Sequence, residues 1–243
     1  MDNDILSSVE SAKGNIPKLH RKSIALDGPA GSGKSTLAKK VAKHFGIIYV
    51  DTGALYRCIG LFALRNNVTS GDGDAVCALL PDIELEMIYD KSGAQRMLLC
   101  GEDVTDEIRM PEVSTLASNV SAIPQVRTFL LAMQREMAVK YDVIMDGRDI
   151  GTVVLPNAGL KIFITADAQA RAQRRYLELK EKGVTTTYDS VFHDMVLRDK
   201  NDTERTASPL KAADDAVILD TTELDFEQSF EALCRLVGSF LDS

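Results

Sequence analysis

Lys34 and Ser35 close the stretch Gly28-Pro29-Ala30-Gly31-Ser32-Gly33-Lys34-Ser35-Thr36, in which two glycines bracket four residues and a lysine and a hydroxyl side chain follow. That spacing fits the phosphate-loop pattern. Glycines let successive backbone N–H groups converge on phosphate oxygens at the positive end of a helix dipole. Lys34 would neutralise charge on β- and γ-phosphates, and Ser35 would place a hydroxyl on Mg²⁺. The plain alternative is a glycine-rich turn that only starts a helix. Its flanks favour the loop: Ile24-Ala25-Leu26 is a short apolar run of the kind that makes a buried strand, and Leu37 to Phe45 has helical periodicity.

Three further groups of residues could handle anions. In Asp51-Thr52-Gly53 with Arg57, Thr52 offers a hydroxyl, Gly53 permits close backbone approach, and Arg57 presents a planar fork for phosphate. A helix N-cap with a surface arginine would look the same. The run Asp146-Gly147-Arg148-Asp149-Ile150-Gly151-Thr152 brings two carboxylates, an arginine and two glycines together, where folding alone would call for no more than a capped turn. Arg171, Arg174 and Arg175 share one helical face, as do Arg198, Asp202 and Arg205. Such faces are commonly just solvated, but phosphoryl transfer between two anions needs several mobile cations, and a helical lid can supply them.

The elements that must position these groups alternate. Ile47 to Val50, Val143 to Met145, Lys161 to Thr165 and Ala216 to Leu219 read as further apolar strands, and helices are expected to Arg65 and over 167–183, 188–205 and 226–241. Five such strands separated by helices predict an α/β fold, a doubly wound five-stranded parallel sheet with ligands at the strands' carboxyl ends. Between residues 66 and 122 the pattern changes. A short helix over Asp72 to Leu80 precedes an alternating strand at Ile83, Leu85 and Met87, a turn at Asp90 to Gly93, and a returning strand from Arg96 to Cys100. This reads as a small antiparallel insert. Helices follow over Pro111 to Val120 and Pro124 to Tyr141, the second with Val126, Phe129, Leu130, Met133 and Met137 near one face. Residues 1–22, polar with Gly14 and Pro17, read as a weakly ordered N-terminal extension before a domain at 23–243, with a short amphipathic turn possible at Ile5 to Val9.

Composition excludes several classes. The chain has 243 residues, 45% hydrophobic and 26% charged, ordinary for a globular protein with a full core. Its net charge of −8 argues against a nucleic-acid surface. No apolar run approaches the ~18 residues of a membrane span, and no signal peptide is read at the start. Four cysteines without CxxC spacing and only three histidines suggest neither zinc nor a disulfide framework, so the cytoplasm is the expected compartment.

Taken in order, the motifs resemble the bacterial cytidylate kinases, within the nucleoside monophosphate kinases. The resemblance runs from Ser23 almost to the C-terminus. It includes Gly101 to Thr105, Glu107-Ile108-Arg109, Ser118, Ile123 to Arg127, Asp146 to Thr152, Arg198 to Arg205 and Ser208-Pro209-Leu210. It implies an ATP- and Mg²⁺-dependent transfer of the γ-phosphoryl group to CMP and dCMP, in pyrimidine nucleotide metabolism, by a monomer. ATP would sit on residues 28–36, with Mg²⁺ between its phosphates and Ser35. Thr52, Gly53, Arg57, Arg148 and Arg205 would hold the acceptor, its cytosine read by Ser118, Arg127 and Asp149 and its sugar met by Arg198 and Asp202. The insert would bind the nucleoside monophosphate. Residues 168–206 would form the lid, with Arg171, Arg174 and Arg175 in it. Lys34, Arg148, Arg205, Arg171 and Arg175 would be the catalytic cations. The acceptor is already an anion, so positioning and charge neutralisation, rather than a strong base, would drive catalysis.

Two other readings compete. A GTP-dependent switch would share the phosphate loop, but Asp90-Lys91-Ser92-Gly93, which spells DxxG, falls in the hairpin turn, and no NKxD occurs. A kinase for another nucleotide, shikimate or gluconate would share the strand–loop–helix, but a non-nucleotide acceptor has no use for the insert with Ser118 and Arg127. The lid is expected open in the free protein, because closing it would crowd arginines with little compensating negative charge.

Overall fold

The computed structural model describes residues 22–69 and 71–243; the expectations for residues 1–21 lie outside the described residues. The chain begins with β1 (Ser23–Asp27), α1 (Lys34–Phe45) and β2 (Ile48–Asp51). It continues through α2 (Thr52–Arg65), α3 (Gly73–Leu79), β3 (Leu85–Tyr89), β4 (Gln95–Leu99), β5 (Glu102–Asp103), α4 (Pro111–Ser121) and α5 (Pro124–Lys140). It ends with β6 (Val143–Gly147), β7 (Leu160–Thr165), α6 (Ala168–Glu181), α7 (Tyr188–Glu204), β8 (Val217–Asp220) and α8 (Phe226–Leu241). Two compact units result: residues 52–141 form one, and residues 22–51 with 142–243 form the other.

The larger unit is built on a five-stranded parallel sheet in the order β2-β6-β1-β7-β8. Every residue of β1 is buried, as expected for a strand flanked on both sides and covered on its faces. Leu37, Ala38 and Val41 of α1 and Leu233 and Val237 of α8 pack with Ile24, Leu26, Ile144, Ile162 and Ile164 into one apolar cluster. The chain leaves β1 toward β2 on one side and reaches β7 and β8 on the other, so the strand order reverses between β6 and β1. A crevice for ligands opens at such a switch point, outside the strands' carboxyl ends. Register sets what meets there: Leu26 pairs with Asp146 and Asp27 with Gly147. Lys22, grouped with the extension by sequence, is tied into this unit, its N–H donating to Asp142 Oδ1 at 2.8 Å and its Nζ to the carbonyls of Phe240 and Leu241.

The smaller unit packs α2 against α4 over a core that includes Leu55, Ile59, Met97, Leu99, Ile108 and Leu130. Gly60 makes this approach possible: a Cβ there would stand 2.9 Å from Leu116 Cβ and 3.2 Å from the Ala117 nitrogen. Its sheet has three strands, β3-β4-β5, rather than the expected hairpin. On α5, Val126, Leu130 and Met137 are buried as expected, but Phe129 is 38% exposed and the polar Arg127 and Gln134 are buried instead. Those two lie on the buried stripe because α5 turns its Arg127 face toward α4, where Arg127 Nη1 donates to the Ser121 carbonyl.

Candidate active site

The phosphate loop connects β1 to α1, and its glycines are required by geometry. Gly28 has φ 152°, and a Cβ there would lie 2.0 Å from the Ile164 carbonyl oxygen. Gly33 is left-handed at the N-cap of α1, supplies no side-chain cap, and is followed by no acidic residue in the first turn. The first N–H groups of this twelve-residue helix are thus left to an external anion. By contrast, α6, α7 and α8 are closed by the side chains of Asp167, Thr187 and Asp225. Within the loop, Ser32 Oγ donates to the Pro29 carbonyl at 3.0 Å and holds the bend around Ala30 and Gly31.

Lys34 is buried, its Nζ donating to the Pro29 carbonyl at 3.3 Å and lying 3.8 Å from Asp146 Oδ1. Burial, and next the charge of Arg148, push its pKa down to about 8. Ser35 Oγ donates to Asp146 Oδ2, to which the Tyr49 hydroxyl also donates at 3.2 Å. Thr36 follows in the first turn of α1. A lysine, a hydroxyl and a carboxylate therefore meet at the mouth of the loop.

Beyond β6, Arg148 donates from Nε to Asp202 Oδ2 at 2.9 Å, and Arg205 lies 3.6 Å from Asp149 Oδ1 and 3.9 Å from Asp202 Oδ1. Arg198 sits one turn before Asp202 on α7, and its charge helps to depress Lys34. Arg171 is buried on α6; it donates to the carbonyls of Ala166 and of Ala30 in the phosphate loop and pairs with Asp199 of α7 at 2.6 Å. Lys34, Ser35, Arg148, Asp149, Arg171, Arg198, Asp202 and Arg205 are thus all in the larger unit, the loop and the two arginine-bearing helices joined through Arg171.

The family model described as cytidylate kinase matches residues 24–239. The chain belongs to the cytidylate kinase family. A cytidylate kinase from Caldicellulosiruptor bescii is 48% identical over 215 residues, covering 88% of this chain and 94% of that protein. One from Carboxydothermus hydrogenoformans is 46% identical, covering 88% and 96%. Among solved structures, a shikimate kinase from Bacteroides thetaiotaomicron aligns with TM-score 0.45 and 15% identity over 91% of this chain and 99% of its own.

Thr52, Gly53, Arg57, Ser118 and Arg127 of this cytidylate kinase family member lie in the smaller unit. Thr52 is buried at the start of α2, with Gly53 beside it and half-buried Arg57 one turn on. Arg127 is buried on α5, its guanidinium 5.4 Å over the Tyr56 ring. Ser121 Oγ donates to the Ser118 carbonyl at 2.8 Å, so half-buried Ser118 and the head of Arg127 lie at the same end of α4.

Two arginines are placed differently from the others. Arg174 donates to Thr221 Oγ1 and to the carbonyls of Thr221 and Leu224, pinning α6 to the segment after β8. Arg175 is 42% exposed and pairs with Glu178 on its own helix. Asp149, Glu178, Asp199 and Asp202 supply opposite charge to Arg205, Arg175, Arg171 and Arg148.

Sequence reasoning passed over Asp27, Tyr49 and Asp199. Asp27 is buried, accepts N–H bonds from Ile150 and Gly151 at 2.8 Å each, and is pushed up to about 7, chiefly by burial. Its signal was present: a carboxylate ending a fully buried strand, directly before Gly28. Tyr49 and Asp199 gave none, since their partners are distant in sequence.

Proposed function

We propose that the chain transfers the γ-phosphoryl group of ATP to CMP, and to dCMP, giving CDP or dCDP and ADP. Family membership over residues 24–239, with the phosphate loop inside it, carries this assignment. Residues 28–36 take the ATP phosphates: the uncapped N-terminus of α1 offers its N–H groups, and Lys34 neutralises charge that builds on the bridging oxygens. Arg148 and Arg205 hold the acceptor phosphate, Asp149 reads cytosine, and Arg198 and Asp202 meet the sugar. Thr52, Gly53 and Arg57 are assigned to the phosphate, and Ser118 and Arg127 to the base. Residues 66–122 are assigned as the monophosphate-binding insert and residues 168–206 as the lid. Within the lid Arg171 is already at the loop, while Arg175 would have to leave Glu178 to act as a catalytic cation.

The donor set suits Mg²⁺. Ser35 and Asp146 present hard oxygens to one another at the loop, and among the described residues no group of three or more His, Cys, Asp or Glu forms a dedicated metal cage. Mg²⁺ commonly binds through one or two protein oxygens together with substrate phosphates. Bound there it would supply charge neutralisation on the ATP phosphates. An acceptor phosphate oxygen attacks the γ-phosphorus in line, and the bond to the ADP oxygen breaks. The arginines' task is to hold two anions close, which is where the rate gain arises. Titration of candidate acceptors in an ADP-release assay tests the assignment.

A further inference from the structure

Ile150 to Val154 form a single wide helical turn directly after Arg148 and Asp149. Its carbonyls are used in the wide pattern, with Val154 N–H donating to the Asp149 carbonyl and Leu155 N–H to that of Ile150. The N–H groups at its start need an acceptor. Asp149 occupies the N-cap position, where an aspartate normally accepts from the second or third N–H of its own turn. It makes no such bond. Instead Asp27, 123 residues away, accepts from Ile150 N–H through Oδ1 and from Gly151 N–H through Oδ2, both at 2.8 Å. Asp149 is thereby released from capping, and its carboxylate faces Arg205 at 3.6 Å.

We infer that Asp27 is a positioning residue for acceptor selection: by capping the turn at 150–154 from the neighbouring strand, it keeps the Asp149 carboxylate out of its own backbone and available to the acceptor base. The turn is shaped for this. Gly151 brings its N–H to Asp27 with little room to spare, since a Cβ there would sit 3.2 Å from Lys161 Cδ and 3.5 Å from Asp27 Oδ2. Asp27 also directly precedes Gly28, so one residue ties the acceptor-side turn to the phosphate loop. Without its carboxylate the two N–H groups lose their acceptor, and Asp149 holds the N-cap position of the same turn. Capping them would turn it away from the base and from Arg205.

This inference rests on the CMP kinase assignment, so its test keeps the two apart. The wild-type protein is assayed first with CMP and UMP; a wild type with no CMP preference overturns the assignment itself. Asp27→Asn keeps the size of the side chain but replaces one acceptor oxygen with a donor facing an N–H. Its CMP-over-UMP ratio of kcat/KM is expected to fall about tenfold or more, through a raised KM for CMP, while KM for ATP changes far less. Asp27→Ser, which retains a small acceptor, is expected to fall between the two and serves if the asparagine variant does not fold. In a folded variant, an unchanged CMP-over-UMP ratio, or an equal loss for both acceptors, would make Asp27 a structural residue only and overturn the inference.

Discussion

Arg148 donates from Nε to Asp202 Oδ2 at 2.9 Å, and their side chains are 18% and 7% exposed. The guanidinium assigned to the acceptor phosphate is thus matched by a carboxylate of the protein's own. Burial opposes the ionised form of Asp202, but Arg148 and Arg198 together outweigh it and hold its carboxyl below the ordinary range.

A carboxyl depressed in the folded state stabilises the fold above its unfolded value of about 4, and that contribution is lost as pH falls through the folded value. Asp202→Ala is expected to cost roughly 1–3 kcal/mol near neutral pH, because it removes the carboxylate bonded to the half-buried guanidinium of Arg148. It should also flatten the fall in stability below about pH 4. Urea melts across that range measure both effects. A variant as stable as wild type would show that the pair is not what holds α7 to the end of β6.

Lys34 behaves oppositely. Its folded value, about 8, lies below the unfolded one, so its charge costs stability. That cost is fully present below about pH 8 and is relieved as pH rises toward about 10.4. Lys34→Met is therefore expected to melt no lower than wild type near neutral pH while losing most of its turnover. Calorimetry beside an ADP-release assay separates the two. Loss of fold along with turnover would assign Lys34 to the core rather than to phosphate.

The parts of the fold legible in the sequence are those written in continuous or periodic apolar residues. Ile24-Ala25-Leu26 and Val143-Ile144-Met145 are buried runs, and they became the paired centre of the sheet. Glu102-Asp103 has no apolar residue to betray β5, which forms because Leu98 and Leu99 of β4 present free edges beside it. Ile150-Gly151-Thr152-Val153-Val154 is rich in β-branched residues yet coils, because an acceptor 123 residues distant takes its N–H groups. In the site, glycine and lysine spacing disclosed the loop, since backbone geometry there is local. The partners Arg171–Asp199 and Arg148–Asp202 could not be read, because they depend on where α6 and α7 return against the sheet. The acidic partners of Arg171 and Arg175 went unread in the sequence.

Arg171 and Arg174 are three residues apart on one helix but should fail differently. Arg174→Ala removes bonds to Thr221 and Leu224 and is expected to lower stability by about 1–3 kcal/mol. Arg171→Ala removes the pair with Asp199 and the bond to Ala166 as well as the link to Ala30 of the phosphate loop, so beyond a loss of stability it should lower kcat and raise KM for ATP. Thermal melts and steady-state kinetics of the two variants test this; an identical kinetic defect in both would refute the division.

Ser118 and Arg127 lie at one end of α4, and base recognition is assigned to them. Ser118→Ala combined with Arg127→Met should raise KM for CMP far more than KM for ATP, since each lost bond to a buried polar group is worth roughly 1–3 kcal/mol. A rise in KM for ATP with KM for CMP unmoved would place these residues elsewhere in the reaction.

The central claim is the choice of acceptor, and initial rates of ADP release at saturating ATP and Mg²⁺ test it most directly. CMP, dCMP, UMP, AMP, shikimate and gluconate are each titrated as acceptor. Uracil mismatches two groups that cytosine would satisfy, so kcat/KM for CMP is expected to exceed that for UMP on the order of a hundredfold. dCMP should be turned over, and shikimate and gluconate should not. Equal turnover of CMP, UMP and AMP, or faster turnover of a non-nucleotide acceptor, would contradict the assignment.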